Sequence, residues 1–194
     1  MPYHLNAIEV FGALFGIICV VLTAKENIWC WPTGIISVVL YGFFYYQQTL
    51  YASMYLQGVF LIFCIHGWYH WLYGGENKTQ LKITKTKKRH ILTIIDITFA
   101  MFIPMGIFFD IKSNDELPYL DSLLAALSIS AQWMMNNKLA ENWILWISVD
   151  IIYTIMHFQR QNYPSFFMYG IFVIFATMGY YLWIKSLKKS QTPL

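Results

Sequence analysis

Apolar residues fall along this chain in seven long runs rather than in short alternations, and the polar positions gather between them. The runs cover residues 6–24, 28–47, 50–73, 90–111, 118–136, 139–159 and 163–185. A hydrocarbon core of about 30 Å needs roughly 20 helical residues, so each run is long enough to cross a bilayer. The pattern predicts an all-α integral membrane protein of seven transmembrane helices. Connections this short force consecutive helices to run antiparallel and leave no room for a soluble domain. The one sizeable loop, Gly74 to Arg89, is polar and strongly basic.

Composition agrees with the pattern. Of 194 residues, 58% are hydrophobic and 12% charged, and the charged share is about half that of a soluble domain. Aromatics make up 19%, including 8 Trp and 14 Tyr, which suits a protein that anchors many helix ends at two lipid–water interfaces. Cys19, Cys30 and Cys64 lie inside apolar runs without the paired spacing of a zinc site or disulfide framework, so they read as small packing residues. The start, Met1-Pro2-Tyr3-His4, lacks a basic leader region and cleavage site, and the first run is expected to remain in the mature protein.

Charge sets the expected orientation. With the N-terminus outside, Lys25, the loop cluster Lys78, Lys82, Lys85, Lys87, Lys88 and Arg89, then Lys138, Lys185, Lys188 and Lys189 are cytoplasmic; only Lys112 and Arg160 lie outside. The C-terminus is then cytoplasmic. A basic cluster can bind nucleic acid, but a short loop between spans lies beside an anionic leaflet, so contact with membrane lipids is expected and no nucleic-acid partner is.

The chain also repeats itself. Shifted by 112 positions, Tyr51, Ser53, Gly58, Phe60, Ile62, Phe63, Gly67, Tyr69 and Trp71 fall on Tyr163, Ser165, Gly170, Phe172, Ile174, Phe175, Gly179, Tyr181 and Trp183. The same shift sets Glu9 on Asp121 and Ala13 on Ala125, while a shift of 115 sets Glu26, Asn27 and Trp31 on Glu141, Asn142 and Trp146. Spans one to three thus recur as five to seven with a small length change between. Three spans plus one linking span bring the second triplet in with the orientation of the first, so the repeats are expected to be parallel, an arrangement found in transporters that rock one bundle against the other. The expected division is residues 1–73 as the first repeat, 74–112 as the basic loop and linker helix, and 113–194 as the second repeat and tail.

Several segments resemble one family. Glu26-Asn27-Ile28-Trp29-Cys30-Trp31-Pro32-Thr33-Gly34, Leu50-Tyr51-Ala52-Ser53-Met54-Tyr55-Leu56-Gln57 and Gly67-Trp68-Tyr69-His70-Trp71 look like the first half of the PnuC family of B-vitamin transporters. Asp121-Ser122, Leu127-Ser128-Ile129-Ser130-Ala131-Gln132-Trp133 and Glu141-Asn142-Trp143-Ile144-Leu145-Trp146 look like its second half. The resemblance implies a three-plus-one-plus-three architecture similar to that of the eukaryotic sugar-efflux transporters, placed in a bacterial inner membrane. It implies uptake of a vitamin, most often nicotinamide riboside and in some members thiamine or riboflavin, by facilitated diffusion. A cytosolic vitamin kinase then traps the product, and members are often homo-oligomers, some of them trimers. No cofactor is implied.

Polar groups inside spans are costly unless they face a partner or a cavity. Glu9, Asp96, Asp121, Glu141 and Asp150 lie in or at the ends of spans, whereas no Lys or Arg lies at mid-span. That acidic excess favours a cationic ligand, such as the pyridinium of nicotinamide riboside or the thiazolium of thiamine. On span six, Asn142, Trp146, Asp150, Tyr153 and His157 follow at helical steps and make the leading candidate for a substrate face. Span five adds Ser128 and Gln132 on a stripe with Asp121 and Ala125, and span three adds Gln57. The 115-residue shift makes Asn27 and Trp31 the first-half partners of Asn142 and Trp146, the two residues that the resemblance also implicates. His66 and His70 are four apart but lack a third ligand, so no metal is expected. Pro32 and Pro104 are each expected to bend a helix. No nucleophile-and-base pair, phosphate-binding loop or reader domain is visible, which disfavours the rival classes of intramembrane enzyme or sensor.

The charge split carries a test of topology. Cysteine labels placed near Asn114 should react in intact cells and labels near Thr84 only after permeabilisation; the reverse pattern would turn the chain over in the membrane.

Overall fold

A computed structural model describes residues 7–49, 51–112 and 117–191; Met1 to His4, Leu50 and Asn114 lie outside the described residues. Among the described residues there are seven α-helices, α1 (Ala7–Ala24), α2 (Cys30–Gln47), α3 (Tyr51–Tyr73), α4 (Lys88–Lys112), α5 (Pro118–Asn136), α6 (Asn142–Gln159) and α7 (Tyr163–Gln191), and a short 3-10 turn at Glu76–Lys78. At about 1.5 Å per residue the shortest of them, of 18 residues, is about 27 Å long. Three, within α1, α4 and α7, are also apolar enough by composition to count as membrane spans on their own. The outer faces are apolar throughout: Ile62, Ile91, Leu92, Phe99, Ile107, Phe108, Phe167 and Ile174 are all exposed. A jacket of this extent has no place in water and matches lipid tails.

Packing closes six helices into a ring in the order α1, α2, α3, α5, α6, α7 and back to α1, with α4 set outside against α5. The α4–α5 contact includes the Thr98 and Ser130 hydroxyls at 2.8 Å. Pro32 does not bend α2, because it stands in the first helical turn, where the backbone N–H has no intrahelical acceptor to lose. Pro104 stands inside α4.

Several backbone features recur 112 residues apart. Helices α2 and α6 start and stop 112 residues apart. Glu26 (φ 56°) and Lys138 (φ 46°) take the same left-handed backbone in their turns, as do Thr49 (φ 58°) and Gln161 (φ 55°). The N–H of Asn27 donates to Leu22 O at 2.9 Å and that of Leu139 to Met134 O at 3.0 Å, again 112 apart. This register corrects the 115-residue shift expected across the turn. Glu26 corresponds to Lys138 and Trp31 to Trp143; the Glu-Asn pair at 141–142 is a local likeness three residues out of step with the backbone.

The best-buried part of the ring lies at the end that bears the basic loop. There the Trp31 ring lies where a Cβ on Gly67 would be, and a Cβ on Gly179 would come within 2.6 Å of Trp143. Trp31 meets Trp71 edge-on at 5.1 Å, Trp143 meets Trp183 edge-on at 5.5 Å, and Trp71 and Trp183 meet each other at 6.0 Å. Each of the central pair reaches across: Trp71 Nε1 donates to Met135 O and Trp183 Nε1 to Thr23 O, both at 3.1 Å. Lys138 and Glu26 pair at 3.5 Å, with the Lys138 ammonium 4.4 Å from the Trp71 ring. Burial pulls the Lys138 ammonium below the usual lysine range, and the Glu26 carboxylate opposes that pull.

The basic loop is tied to one side of this cap. Leu81 N–H donates to Trp71 O, Thr84 bridges to both Lys138 O and Ala140 N–H, and Thr86 donates twice to the Glu141 carboxylate at 2.8 and 2.7 Å. Ile83 is buried among the tryptophans.

The glycine contacts predict a pattern of stabilities. Gly67→Ala and Gly179→Ala should each destabilise the purified protein by about 1–3 kcal/mol, because a methyl group must displace an indole in a filled site. Gly58 and Gly170, also 112 apart, have nothing within 4 Å of a built Cβ, so alanine there should be neutral or stabilise by up to about 1 kcal/mol. Thermal melting in detergent checks both pairs.

Candidate functional site

The ring encloses a cavity of about 300 Å³ walled by all six of its helices and untouched by α4. Toward the basic end its wall is made by Thr23, Trp31, Cys64, Met135, Trp143 and Ala176; toward the other end by Tyr41, Tyr45, Gln57, Met168 and Tyr169, with Trp146 and Asp150 between. The close approach of helices here depends on small residues. A Cβ on Gly34 would meet Cys19 Sγ at 3.1 Å and Cys64 Sγ at 3.4 Å, and all three cysteines are free thiols used as compact packing groups.

Five of the nine residues singled out in the sequence line this cavity: Trp31, Gln57, Gln132, Trp146 and Asp150. Asp150 is 6% exposed, and its carboxylate makes no ion pair or side-chain hydrogen bond among the described residues. The Nε1 donors of Trp31, Trp143 and Trp146 are buried without a partner. The Asp150 carboxylate thus lines the void without a protein partner among the described residues, which is unusual for a charge inside a membrane-spanning helix.

The other four face elsewhere, for physical reasons. Asn142 is wholly buried in the first turn of α6, where Nδ2 donates to Leu139 O at 2.7 Å and helps close the α5–α6 turn. Asn27 is exposed in the α1–α2 turn, accepting from Trp29 N–H at 3.0 Å. Ser128 returns its hydroxyl to Leu124 O on its own helix. Tyr153 stacks on Tyr169 at 4.8 Å with His157 beside it, so it backs the cavity wall rather than forming it. Among the acidic groups of the spans, Glu141 is held by Thr86, and Asp121 pairs with Arg160 at 3.3 Å.

Trp143, Tyr41, Tyr45 and Tyr169 line the cavity and were not anticipated. The signal that finds two of them is the 112-residue register carried through the turns, which sets Trp143 on Trp31 and Tyr41 on Tyr153.

A bundle jacketed in apolar side chains, with an unpaired carboxylate facing a void on its axis, is the design of a membrane transporter for a small molecule. Comparison with known proteins gives the family. The model described as nicotinamide mononucleotide transporter matches residues 6–185, and the chain belongs to that family, the PnuC transporters whose segments it resembles. It is 28% identical to the nicotinamide riboside transporter PnuC of Escherichia coli strain K12, over 96% of this chain and 89% of that protein. It is 22% identical to the riboflavin/roseoflavin transporter RibM of Streptomyces davaonensis, over 98% and 91% respectively. A crystal structure of the vitamin B3 transporter PnuC superposes with a TM-score of 0.74 and 26% identity, covering 94% of this chain and 82% of that one. These relatives are transporters and not enzymes.

Proposed function

We propose that this chain takes up nicotinamide riboside across the bacterial inner membrane, with Asp150 as the counter-charge to the ligand's pyridinium. The observation that carries this reading is the buried Asp150 carboxylate, open to the cavity and without a cation of its own. Trp146 supplies an indole for stacking and cation–π attraction, worth about 0.5–2 kcal/mol. Trp31, Gln57 and Gln132 complete the polar wall. Riboflavin has no positive charge to offer Asp150; thiamine has one, and the family resemblance favours nicotinamide riboside over it.

In this reading residues 1–73 and 113–194 are parallel three-helix repeats joined by the loop and helix of 74–112, with the N-terminus outside. Support comes from the common 112-residue register and from the ring, in which the α1–α7 seam repeats as α3–α5. Rocking of one triplet against the other would open the cavity to each side in turn. The family resemblance supports transport down the gradient, with a cytosolic kinase trapping the product. The exposed apolar face of α4 is open to lipid or to a neighbouring copy in a homo-oligomer.

Calorimetric titration of purified protein with nicotinamide riboside, thiamine and riboflavin tests the substrate; binding by none of them would end the vitamin reading. Trp146→Ala should weaken nicotinamide riboside about ten- to a hundredfold. Asp150→Asn should weaken the cation by about tenfold or more while barely affecting riboflavin, should that bind at all. Folded Asp150→Asn protein with unchanged affinity would remove the counter-charge role. Proteoliposomes with substrate on both sides should exchange label without ion gradient or ATP, and a strict need for either would refute facilitated diffusion.

A further inference from the structure

An asymmetric ligand inside two similar halves must meet some polar feature that only one half has. The seam between α3 and α5 has one. Asn136, wholly buried, donates from Nδ2 to Phe63 O at 2.9 Å, and the same amide nitrogen lies 3.2 Å from His66 Nδ1. Its Oδ1 accepts from Gln132 Nε2 at 3.1 Å. On the opposite seam, 112 residues away, the corresponding side chains are Val20, Ala24 and Met178, which build no such network.

One group orients the whole relay. A backbone carbonyl can only accept, so the Asn136 atom facing Phe63 O must be the NH₂ group. Oδ1 of Asn136 therefore faces Gln132, and Gln132 must turn its own NH₂ toward it. With His66 accepting at Nδ1, both hydrogens of the Asn136 amide are used. Reversing either amide would set two donors or two acceptors against each other in a buried seam, where an unmet polar group is expensive. Gln132 is left with Oε1, which accepts no hydrogen bond among the described residues, and Gln132 lines the cavity.

We propose that Gln132 determines specificity by presenting its carbonyl oxygen to the ligand, and that Asn136 is the positioning residue that holds it so. The ligand group at this point must be a hydrogen-bond donor. Resting on the riboside reading above, that group is the ring carboxamide NH₂. The same nucleoside with a carboxylate in place of the amide offers only acceptors and would set oxygen against oxygen.

Full-length protein in detergent, titrated with nicotinamide riboside and with nicotinic acid riboside while its melting is followed, tests the assignment. Wild type should favour the amide by about a hundredfold or more, and Gln132→Leu or Asn136→Leu should shrink that ratio by about tenfold. Asn136→Asp, protonated in this buried seam, keeps an O–H donor for Phe63 O and an acceptor for Gln132 Nε2, and should hold the ratio within about threefold of wild type. If Asn136→Leu does not fold, Gln132→Leu decides. A lowered melting temperature with an unchanged ratio would make the network mere helix glue and overturn the proposal. Wild type that binds neither riboside defeats the vitamin reading and this one with it; wild type that binds the amide while the variants leave the ratio flat defeats this one alone.

Discussion

An indole ring seated where a glycine leaves room is the contact on which this bundle depends. Trp31 over Gly67 holds α2 to α3, and Trp143 over Gly179 holds α6 to α7. In lipid, helices gain little from hiding apolar surface from one another, so close approach and shape decide which faces meet. A filled tryptophan–glycine contact supplies both. It brings Trp71 and Trp183 to the middle, where each donates across to a carbonyl of the other half. The cap so formed is dense, and the void beyond it holds the unpaired Asp150 carboxylate.

That contrast explains the chemistry of the interior. Thr23 and Ser37 are satisfied by backbone carbonyls, and Asn136 is satisfied on α3 and α5. Among the described residues Asp150, three indole N–H groups, Asn142 Oδ1 and His157 Nδ1 are not. Ionisable groups inside membrane spans commonly pair with one another or mark a substrate pathway, and Asp150 has no partner of the first kind among the described residues.

Much of this was legible in the chain. The seven helices follow from run length alone, and α3 and α7 declare their kinship through Gly67 with Gly179 and Trp71 with Trp183. The register across the α1–α2 turn was misread because Glu26-Asn27 and Glu141-Asn142 are identical pairs; backbone conformation, which sequence likeness does not report, places Glu26 with Lys138. Within the site, the helical stripe on α6 located Trp146 and Asp150, but its ends were lost. Asn142 belongs to a turn, and by Tyr153 the stripe has rotated toward α7 to stack on Tyr169. Which edge of a stripe faces the axis is set by the neighbouring helices, and no single helix encodes that.

The pair Glu26–Lys138 bears on how the two ends of the ring choose each other. The two residues hold corresponding places in the two halves, yet one is an acid and the other a base, and they meet each other. Two copies of the first half brought together in the same way would set carboxylate against carboxylate; two copies of the second would set ammonium against ammonium. Charge at this one position therefore disfavours like meeting like and favours the pairing seen here. The opposite charges make the α1–α2 turn and the α5–α6 turn complementary to each other and not interchangeable.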